Sequence, residues 1–416
     1  MKQRRLVVIG GGAAGFFCAV NAARLHPALE VILLEKTGKL LSKVKVSGGG
    51  RCNVTHAAPD LAYMAKRYPR GQHFVKKAFG FFFVPDTIAW FAERGVALKA
   101  EADNRMFPVT DSSQTIIDCL LQEADRYGVR VRTNSEVLAI RKAGAHTLST
   151  PPGNTGWIVE LGQGNSLEAD AVCIAAGGYA QAAKFGWLQA LGHHIAEPVP
   201  SLFTFNMPHH PITALMGVSV PEVQVKIAGS KLQEQGPVLI THWGLSGPAV
   251  LRLSAWGARE LFDKNYTFTA IINWTPAYHE TSMRETLQAA RSLGGQKLHG
   301  KNQFGLPQRL WQFLLLQAGI PEDMRWADMP AKAQLQLTKL LTAMECPVSG
   351  KTTFKEEFVT CGGIQLPEVD PNTMESKKAP GLFFAGEVLD VDGITGGFNF
   401  QHAWTSGMLA AKHCVK

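Results

Sequence analysis

The chain has 416 residues, of which 46% are hydrophobic and 18% are charged. This length suits two or three domains, and the composition is ordinary for a globular protein. No apolar run reaches the roughly 18 residues of a membrane-spanning helix, and no small-residue cleavage site follows the basic first residues, so neither a membrane span nor a signal peptide is expected. The seven cysteines are scattered without a C-x-x-C pair, which favours a reducing, cytoplasmic location. A net charge of +8 would attract phosphates, but without a block of like charge it does not favour nucleic acid as a partner.

The first three predicted elements form a compact β-α-β unit. Residues 5–9 are a short apolar, β-branched run, which is typical of a buried parallel strand. Residues 13–25 are rich in alanine and predict the following helix. Residues 31–34 are again apolar and lead to Glu35, which predicts the second strand.

A G-x-G-x-x-G turn, Gly10 to Gly15, lies between the first strand and the helix. Gly10 permits the tight turn, Gly12 lets the backbone approach a pyrophosphate, and Gly15 lets the helix pack closely on the strand. The pyrophosphate would lie at the helix N-terminus, where N–H groups and the dipole favour negative charge. Glu35, 20 positions after Gly15, is suited to accept hydrogen bonds from an adenosine ribose and would disfavour the 2′-phosphate of NADP.

A second glycine-rich segment, Lys43 to Asn53, follows soon after the second strand. Its three consecutive glycines, 48–50, would let the backbone approach a flat ring or a phosphate. Arg51 could neutralise an anion, and Asn53 offers both a donor and an acceptor. Ordinary NAD dehydrogenases have a helix and a strand here, so this segment favours FAD over NAD.

The central part of the nucleotide domain is predicted to alternate between helix and strand. A helix is expected over 115–127, and strands are expected within 129–140, 157–161 and 171–175. The last strand ends in Ala175-Ala176-Gly177-Gly178. This is only a glycine doublet, so a dedicated NAD(P)H domain is not expected.

After about Pro198 the pattern changes, which predicts an insertion. Proline-punctuated β-like runs come first, and helical patterns follow, as at 310–316 and 335–341. The expected divisions are 1–197 for the first part of the FAD-binding domain, 198–278 for an inserted β-rich domain, 279–343 for a helical subdomain, 344–357 for a return through the β-rich domain, and 358–416 for the second part of the FAD-binding domain.

The C-terminal segment returns to the glycine-rich pattern of the start. Residues 382–385 predict a strand, and Glu387 after it could bond the ribityl hydroxyls of a flavin. Gly396-Gly397-Phe398-Asn399 leads into a helix predicted to end near Ala411. The N-terminus of that helix, aimed at the flavin pyrimidine, would stabilise negative charge at N1 and O2 of the reduced ring.

Some residues have both a functional and a structural interpretation. Cys52 could be a reactive thiolate, although a packing or cofactor contact is favoured. His402 could act as a general acid, although a capping or core role is favoured. The pairs His193-His194 and His209-His210 lack the spacing of two ligands on one helix face, so no metal site is expected. No residue is assigned as the catalytic acid or base.

The motifs closely resemble those of a bacterial flavoprotein family, the BaiN-like flavoproteins, also described as aminoacetone oxidase family FAD-binding enzymes or NAD(P)/FAD-dependent oxidoreductases. The resemblance spans nearly the whole chain, and its most specific part is the Gly-Gly-Gly-Arg-Cys-Asn run. The segments that carry it are Gly10 to Gly15, Ser47 to Thr55, Thr241 to Pro248, Gly386-Glu387, Asp392-Gly393 and Gly396 to Asn399.

This resemblance implies an α/β fold, with a Rossmann-like, glutathione reductase-like FAD-binding domain, an inserted β-barrel-like domain and a helical subdomain. FAD is the expected cofactor, and NAD(P)H is left open as a transient electron donor. The residues expected to bind FAD are Gly10, Gly12, Ala13, Ala14, Gly15, Glu35, Lys36, Lys43, Ser47, Gly49, Gly50, Arg51, Cys52, Asn53, Val137, Ala175, Ala176, Gly177, Gly386, Glu387, Asp392, Gly397, Phe398, Asn399 and Phe400.

The sequence therefore predicts a cytoplasmic FAD-dependent oxidoreductase that transfers hydride to or from flavin N5, with an unidentified small molecule as substrate. An NAD(P)H-dependent reductase and an amine or ketone oxidase both stay open. Two alternatives also stay open. One is a flavin-dependent tRNA-modifying or nucleic-acid-linked protein, whose only support is the net positive charge. The other is a flavin-binding protein without turnover. The sequence does not indicate the oligomeric state.

Overall fold

The computed structural model describes residues 3–143, 156–300, 302–352 and 359–415. Its strands are β1 (Arg5–Ile9), β2 (Glu30–Leu34), β3 (Thr55–His56), β4 (Leu98–Ala100), β5 (Arg105–Pro108), β6 (Arg130–Arg132), β7 (Val137–Lys142), β8 (Trp157–Leu161), β9 (Ser166–Ala169), β10 (Ala171–Ile174), β11 (Ile195–Ser201), β12 (Thr204–Asn206), β13 (Ser219–Ile227), β14 (Gln233–Thr241), β15 (Gly244–Ser246), β16 (Thr267–Asn273), β17 (Met344–Ser349), β18 (Lys351–Thr352), β19 (Val359–Ile364) and β20 (Leu382–Phe384). Its α-helices are α1 (Ala13–Leu25), α2 (Ser42–Gly50), α3 (Leu61–Ala65), α4 (Gln72–Phe79), α5 (Val84–Ala92), α6 (Ser113–Arg126), α7 (Gly186–Gln189), α8 (Pro248–Trp256), α9 (Ala258–Asp263), α10 (Glu280–Ala289), α11 (Gln308–Gln317), α12 (Ala331–Thr342) and α13 (Phe398–His413).

The chain divides into two compact units. The first unit comprises Met1–Ser201 and Phe354–Lys416, and the second unit comprises Leu202–Thr353. The predicted start of the insertion, residue 198, lies shortly before the second unit. The β-rich and helical segments that the sequence separates both belong to this second unit.

A parallel five-stranded sheet forms the centre of the first unit, in the order β20-β10-β1-β2-β6. In β1, Ile9 lies opposite Ile174 of β10 and Leu34 of β2. The chain passes from β1 to β2 on one side and later adds β10 on the other. The carboxyl ends of β1 and β10 therefore form the switch point at which such sheets bind ligands. This arrangement confirms the predicted α/β, Rossmann-like fold class.

The first and last helices of this unit pack directly against each other. Phe17 of α1 contacts Trp404 of α13, with ring centroids 5.2 Å apart. At Gly407 of α13 a Cβ atom would lie 2.7 Å from the carbonyl oxygen of Ala14. The two backbones therefore approach so closely at Gly407 that only glycine fits without a shift.

The second unit has a seven-stranded antiparallel sheet in the order β17-β16-β13-β14-β15-β12-β18. Gly350 alone separates β17 from β18, so the two outer strands of the sheet follow each other in the chain. Strand residues such as Val225 share one buried core with Leu253 of α8, Trp311 of α11 and Leu337 of α12. The helices thus cover apolar side chains of the sheet.

Some element boundaries differ from the sequence-based expectation. α6 begins at Ser113 rather than at 115, because the hydroxyl of Ser112 accepts a hydrogen bond from the Gln114 amide and starts the helix. Residues 129–140 contain β6 and the start of β7, separated by Asn134 with a φ of 51°. The runs 218–220 and 223–227 lie in one strand, β13, whose register shifts near Pro221, a residue without an N–H donor.

The close approach of the two backbones at Gly407 predicts that any larger side chain there lowers the stability of the fold. Gly407→Val should lower the free energy of unfolding by about 1–3 kcal/mol, because the branched side chain forces α13 away from α1. Chemical denaturation of the purified variants measures this change. Gly186→Ala is the matched control, since a Cβ there would meet no atom within 4 Å; equal stability of the Gly407 variant and wild type would contradict the packing argument.

Candidate cofactor site

Three segments rich in glycine meet at the carboxyl edge of the parallel sheet. Residues 10–15 follow β1, residues 175–178 follow β10, and Gly386 follows β20. A Cβ on Gly10 would lie 2.2 Å from the carbonyl oxygen of Ala175, so the first two segments touch. The predicted residues at this edge are Gly10, Gly12, Ala13, Ala14, Gly15, Ala175, Ala176, Gly177 and Gly386.

In the first of these segments, residues 10–15, the packing of the protein does not require a glycine at position 12. A Cβ on Gly15 would lie 1.9 Å from the carbonyl oxygen of Gly10, so Gly15 is needed for α1 to pack on β1. A Cβ on Gly12 would meet no protein atom within 4 Å, and Gly12 has a φ of −92°, which any residue can adopt. No side chain caps α1 and no acidic residue lies in its first turn. The open space at Gly12 therefore fits the pyrophosphate of FAD.

Glu35 lies beside this turn, immediately after β2. One carboxylate oxygen accepts a hydrogen bond from the Gly11 amide at 2.9 Å. The other accepts from the amide and the hydroxyl of Thr37, each at 2.9 Å. Because each carboxylate oxygen can accept two hydrogen bonds, the oxygen bound by Gly11 can accept one more, from a ribose hydroxyl such as the sequence analysis assigned to Glu35.

Glu387 joins segments from distant parts of the chain. One carboxylate oxygen lies 2.6 Å from the ammonium of Lys43 in α2, and the other accepts from the Thr360 amide at 2.8 Å. Two residues predicted separately, Lys43 and Glu387, thus form an ion pair in the first unit. Lys36, also predicted, lies 5.9 Å from the centre of the Tyr179 ring.

The segment predicted as a glycine loop begins as helix α2 and leaves the helical conformation at Ser47, whose ψ is 148°. Gly48, Gly49 and Gly50 then have φ values of 58°, 69° and 84°, which favour glycine. At Gly49 and Gly50 a Cβ would meet no protein atom within 4 Å. Their exposed backbone is open to a ligand, as the sequence analysis expected of the three glycines.

Arg51 differs from its predicted role as a partner for a bound anion. Its guanidinium lies 2.6 Å from Glu101 and 3.6 Å from Asp111, and it covers the Phe107 ring at 4.0 Å. The hydrogen bond to Glu101 is the main reason that the pKa of Arg51 is raised. Two carboxylates already neutralise this cation, so the geometry does not support neutralisation of an anion by Arg51.

The surroundings of Cys52 favour a packing role over a reactive thiolate. Its side chain is fully buried, and burial raises the pKa of the thiol to about 12, against a smaller opposite effect of a hydrogen bond with Ser47. Cys52 is therefore a protonated thiol at neutral pH. Its packing supports the backbone of the glycine segment, where Cys52 itself has a φ of 61°.

Asn53 connects the two most distinctive motifs of the chain. In the amide orientation that satisfies its neighbours, its oxygen accepts from the Gly397 amide at 3.0 Å and its nitrogen donates to the Thr55 carbonyl at 2.9 Å. A Cβ on Gly397 would lie 2.4 Å from that same carbonyl oxygen. The Gly-Gly-Gly-Arg-Cys-Asn segment is thus held against the turn that starts α13.

The start of α13 has the features of an anion-stabilising helix end. No side chain caps it and no acidic residue lies in its first turn, so its first amides remain available as donors. Asn399 closes the preceding turn, because its side chain bonds the amide and the carbonyl of Gly393 at 2.8 and 2.9 Å. Phe400 stacks on Trp404 with ring centroids 5.8 Å apart.

Two further residues predicted to bind FAD, Asp392 and Val137, lie in segments other than the glycine-rich turns. Asp392 is fully buried, and both its oxygens are bound within the protein, by Arg70 and by the hydroxyl of Ser201. Burial, opposed by Arg70, raises the pKa of Asp392 to about 6. The side chain therefore anchors its own segment. Val137 lies at the start of β7, in the three-stranded sheet β7-β8-β9.

His56 is a residue that the sequence analysis missed. It is 6% exposed and stacks on Phe398 at the start of α13, with ring centroids 4.7 Å apart. Its Nδ1 lies 3.2 Å from the carbonyl oxygen of Gly396, and its buried Nε2 has no partner among the described atoms. Burial lowers the pKa of His56. The sequence did contain a signal for His56, because the residue directly follows the Gly-Gly-Gly-Arg-Cys-Asn-Val-Thr run.

His402 occupies a core position and not that of a general acid. Its Nε2 lies 3.3 Å from the carbonyl oxygen of Gly386, and burial lowers its pKa to about 4. The adjacent residues His193 and His194, at which no metal site was expected, both contact the carboxylate of Glu368, at 3.0 and 2.6 Å.

Comparison with known families identifies the chain. The model of the HI0933-like protein Rossmann domain matches residues 4–413. The chain belongs to this family.

Full-length relatives of this HI0933-like protein have two kinds of name. A protein of Escherichia coli (strain K12) named ribosomal RNA dihydrouridine synthase is 32% identical, over 100% of this chain and 99% of the relative. A Haemophilus influenzae protein with the same name is 30% identical over 97% of each chain. A Clostridium scindens protein named 3-dehydro-bile acid delta(4,6)-reductase is 26% identical over 99% of this chain and 98% of the relative.

A solved structure has a similar fold. The 3-ketosteroid-delta4-(5alpha)-dehydrogenase from Rhodococcus jostii RHA1 aligns over 98% of this chain and 97% of its own, with a TM-score of 0.52 and 15% identity. The family match and these relatives confirm the predicted resemblance to BaiN-like flavoproteins. The HI0933-like protein is an FAD-dependent oxidoreductase. Among its described helices none has the length and apolar character needed to cross a bilayer.

The open space at Gly12 leads to a prediction that separates folding from cofactor binding. Gly12→Val should fold as the wild type does, because a Cβ at this position meets no protein atom within 4 Å, yet it should weaken FAD binding at least about tenfold by filling the space of the pyrophosphate. Thermal unfolding of the apoprotein and titration with FAD measure the two effects. Gly15→Val is the contrast and should lose both, while full FAD occupancy in Gly12→Val would refute the assignment.

Burial of His402 predicts a pH-dependent loss of stability. Its folded pKa of about 4 lies below the ordinary value, so stability is complete above about pH 6.5 and falls as the unfolded chain takes up the proton at lower pH. The loss approaches about 3 kcal/mol near pH 4. The free energy of unfolding, measured at pH 7 and 4.5, should therefore fall more in wild type than in His402→Gln. Parallel pH profiles would contradict this.

Proposed function

We propose that this HI0933-like protein reduces a C=C bond conjugated with a carbonyl group, and that the bond belongs to a uridine of ribosomal RNA. The observation that carries the proposal is the full-length similarity, at 32% and 30% identity, to two proteins named ribosomal RNA dihydrouridine synthase. The net charge of +8 is compatible with an RNA substrate, because cationic side chains replace the counterions of the phosphates, but it does not by itself select RNA.

The proposed reaction is a two-electron reduction. It breaks the π bond of the uridine ring and forms two C–H bonds, so it needs one hydride and one proton. FAD in its reduced form would supply the hydride from N5, solvent would supply the proton, and NADH or NADPH would be the reductant that regenerates the reduced flavin.

The first unit would bind and orient the cofactor for this reaction. The first amides of α1 would hold the pyrophosphate, Glu35 the ribose, and Glu387 the ribityl chain. The start of α13 would stabilise negative charge on the pyrimidine edge of the ring, which favours the reduced cofactor. The unpartnered Nε2 of His56 lies beside this helix start and would offer an acceptor there.

A steroid-like enone is the second candidate substrate. The name of the Clostridium scindens relative describes a delta(4,6)-reductase of a 3-dehydro bile acid, which is the same change in a conjugated double bond. This candidate takes second place because the identity, 26%, is lower than that of the other two relatives.

Anaerobic flavin spectroscopy combined with mass spectrometry of RNA tests the proposal. NADH or NADPH should bleach the flavin of the holoprotein. Deproteinised ribosomal RNA from a strain without this gene should restore the absorbance and gain two hydrogen atoms at a uridine. Ribosomal RNA from the parent strain is the control and should leave the flavin reduced.

The outcomes distinguish the two candidates. Rapid reoxidation by a 3-keto-4,6-diene steroid, together with unchanged RNA, would favour the second candidate. A reduced flavin that neither substrate reoxidises would overturn the proposal of a C=C reductase.

A further inference from the structure

The segment that contains α3 and α4 is unusually basic. Residues 61–80 contain Lys66, Arg67, Arg70, Lys76 and Lys77 and no aspartate or glutamate. Arg70 is paired with the buried Asp392. The other four residues form what we call the basic surface.

The basic surface is accessible and its charges are not neutralised. Lys66, Lys76 and Lys77 are exposed, and Arg67 is half-buried with its guanidinium 4.5 Å from the centre of the Tyr63 ring. Across residues 3–143, 156–300, 302–352 and 359–415, none of these four makes an ion pair.

Two carboxylates near the basic surface are already engaged. Asp60 caps α3 by accepting from the Tyr63 amide at 2.7 Å. Asp103 pairs with Arg105 at 2.6 Å. Neither carboxylate is paired with any of the four basic side chains in the part of the chain that the structure describes.

The backbone below the basic surface is fixed to the start of α13. The carbonyl of Arg67 accepts from the Ile394 amide at 2.9 Å, and the hydroxyl of Tyr68 donates to the carbonyl of Phe398 at 2.5 Å. The other face of α4 is buried through Phe74, Val75, Ala78 and Phe79. The backbone beneath the basic surface is therefore bonded to the helix end that would bind the flavin ring.

We propose that the basic surface binds the phosphate backbone of folded ribosomal RNA and so presents the target base to the flavin. This inference rests on the proposed function. Two pairs of adjacent basic residues, Lys66-Arg67 and Lys76-Lys77, suit phosphates, which position a nucleic acid without reading its sequence. Phe81, four positions after Lys77 and 52% exposed, is suited to stack on an unpaired base.

Binding of deproteinised ribosomal RNA to the FAD-loaded protein at several salt concentrations tests this assignment. Lys76→Gln/Lys77→Gln and Lys66→Gln/Arg67→Gln should each weaken binding about tenfold or more. Each should also lower the slope of log affinity against log salt by about 1.4–1.8, as expected for two lost phosphate contacts. The flavin spectrum and its bleaching by NADH or NADPH should stay as in wild type.

The matched control removes two exposed lysines from the second unit. Lys226→Gln/Lys231→Gln takes away the same charge from β13 and the turn after it, and it should change the affinity less than about twofold. A loss equal to that of the α4 variant would mean that total charge and not this surface binds RNA.

The results separate this inference from the proposed function. RNA that binds through these residues but is never reduced would leave the basic surface standing and overturn the proposed reaction. RNA that is reduced and bound equally well by both basic-surface variants would overturn the basic surface and leave the reaction standing. Wild-type protein that binds no ribosomal RNA would overturn the basic surface, and the steroid assay would then decide the reaction.

Discussion

The contact between α1 and α13 is the interaction on which the first unit depends. α1 carries the pyrophosphate turn at its start, and α13 carries the candidate site for the flavin ring at its own. Gly407 lets the two backbones approach, and Phe17 and Trp404 fill the space beside it. Burial of two such side chains contributes about 1.5–3 kcal/mol each. The distance between the two helix ends, and so the length of cofactor that they can hold, is fixed by this packing.

The parts of the fold that the sequence predicted are those with local causes. Residues 5–35 specify a strand, a turn, a helix and a strand through hydrophobic patterning and three glycines, and each of these elements forms where it was expected. The helix after Gly397 was equally predictable, since glycine ends the preceding turn and a long run without proline follows.

The parts that the sequence did not reveal depend on partners far along the chain. Asn53 offered a donor and an acceptor, but nothing local indicated that Gly397 would use them. Arg51 looked like an anion ligand because its partners lie far along the chain: Glu101 in the connection between β4 and β5, and Asp111 after β5. His56 is a candidate site residue only because it is buried against Phe398. Burial depends on the tertiary structure, which composition and motif spacing do not report.

The split of the first unit has a consequence for synthesis. A nascent chain that has reached Thr353 already contains β1, β2, β6 and β10, yet β20 and α13 have not been made. The parallel sheet then has an open edge at β10, and α1 exposes the apolar face that α13 later covers. Because domains complete their cores only when all their elements have emerged, the second unit can fold before the first. The ribosome must therefore finish nearly the whole chain before the cofactor has a complete site to enter.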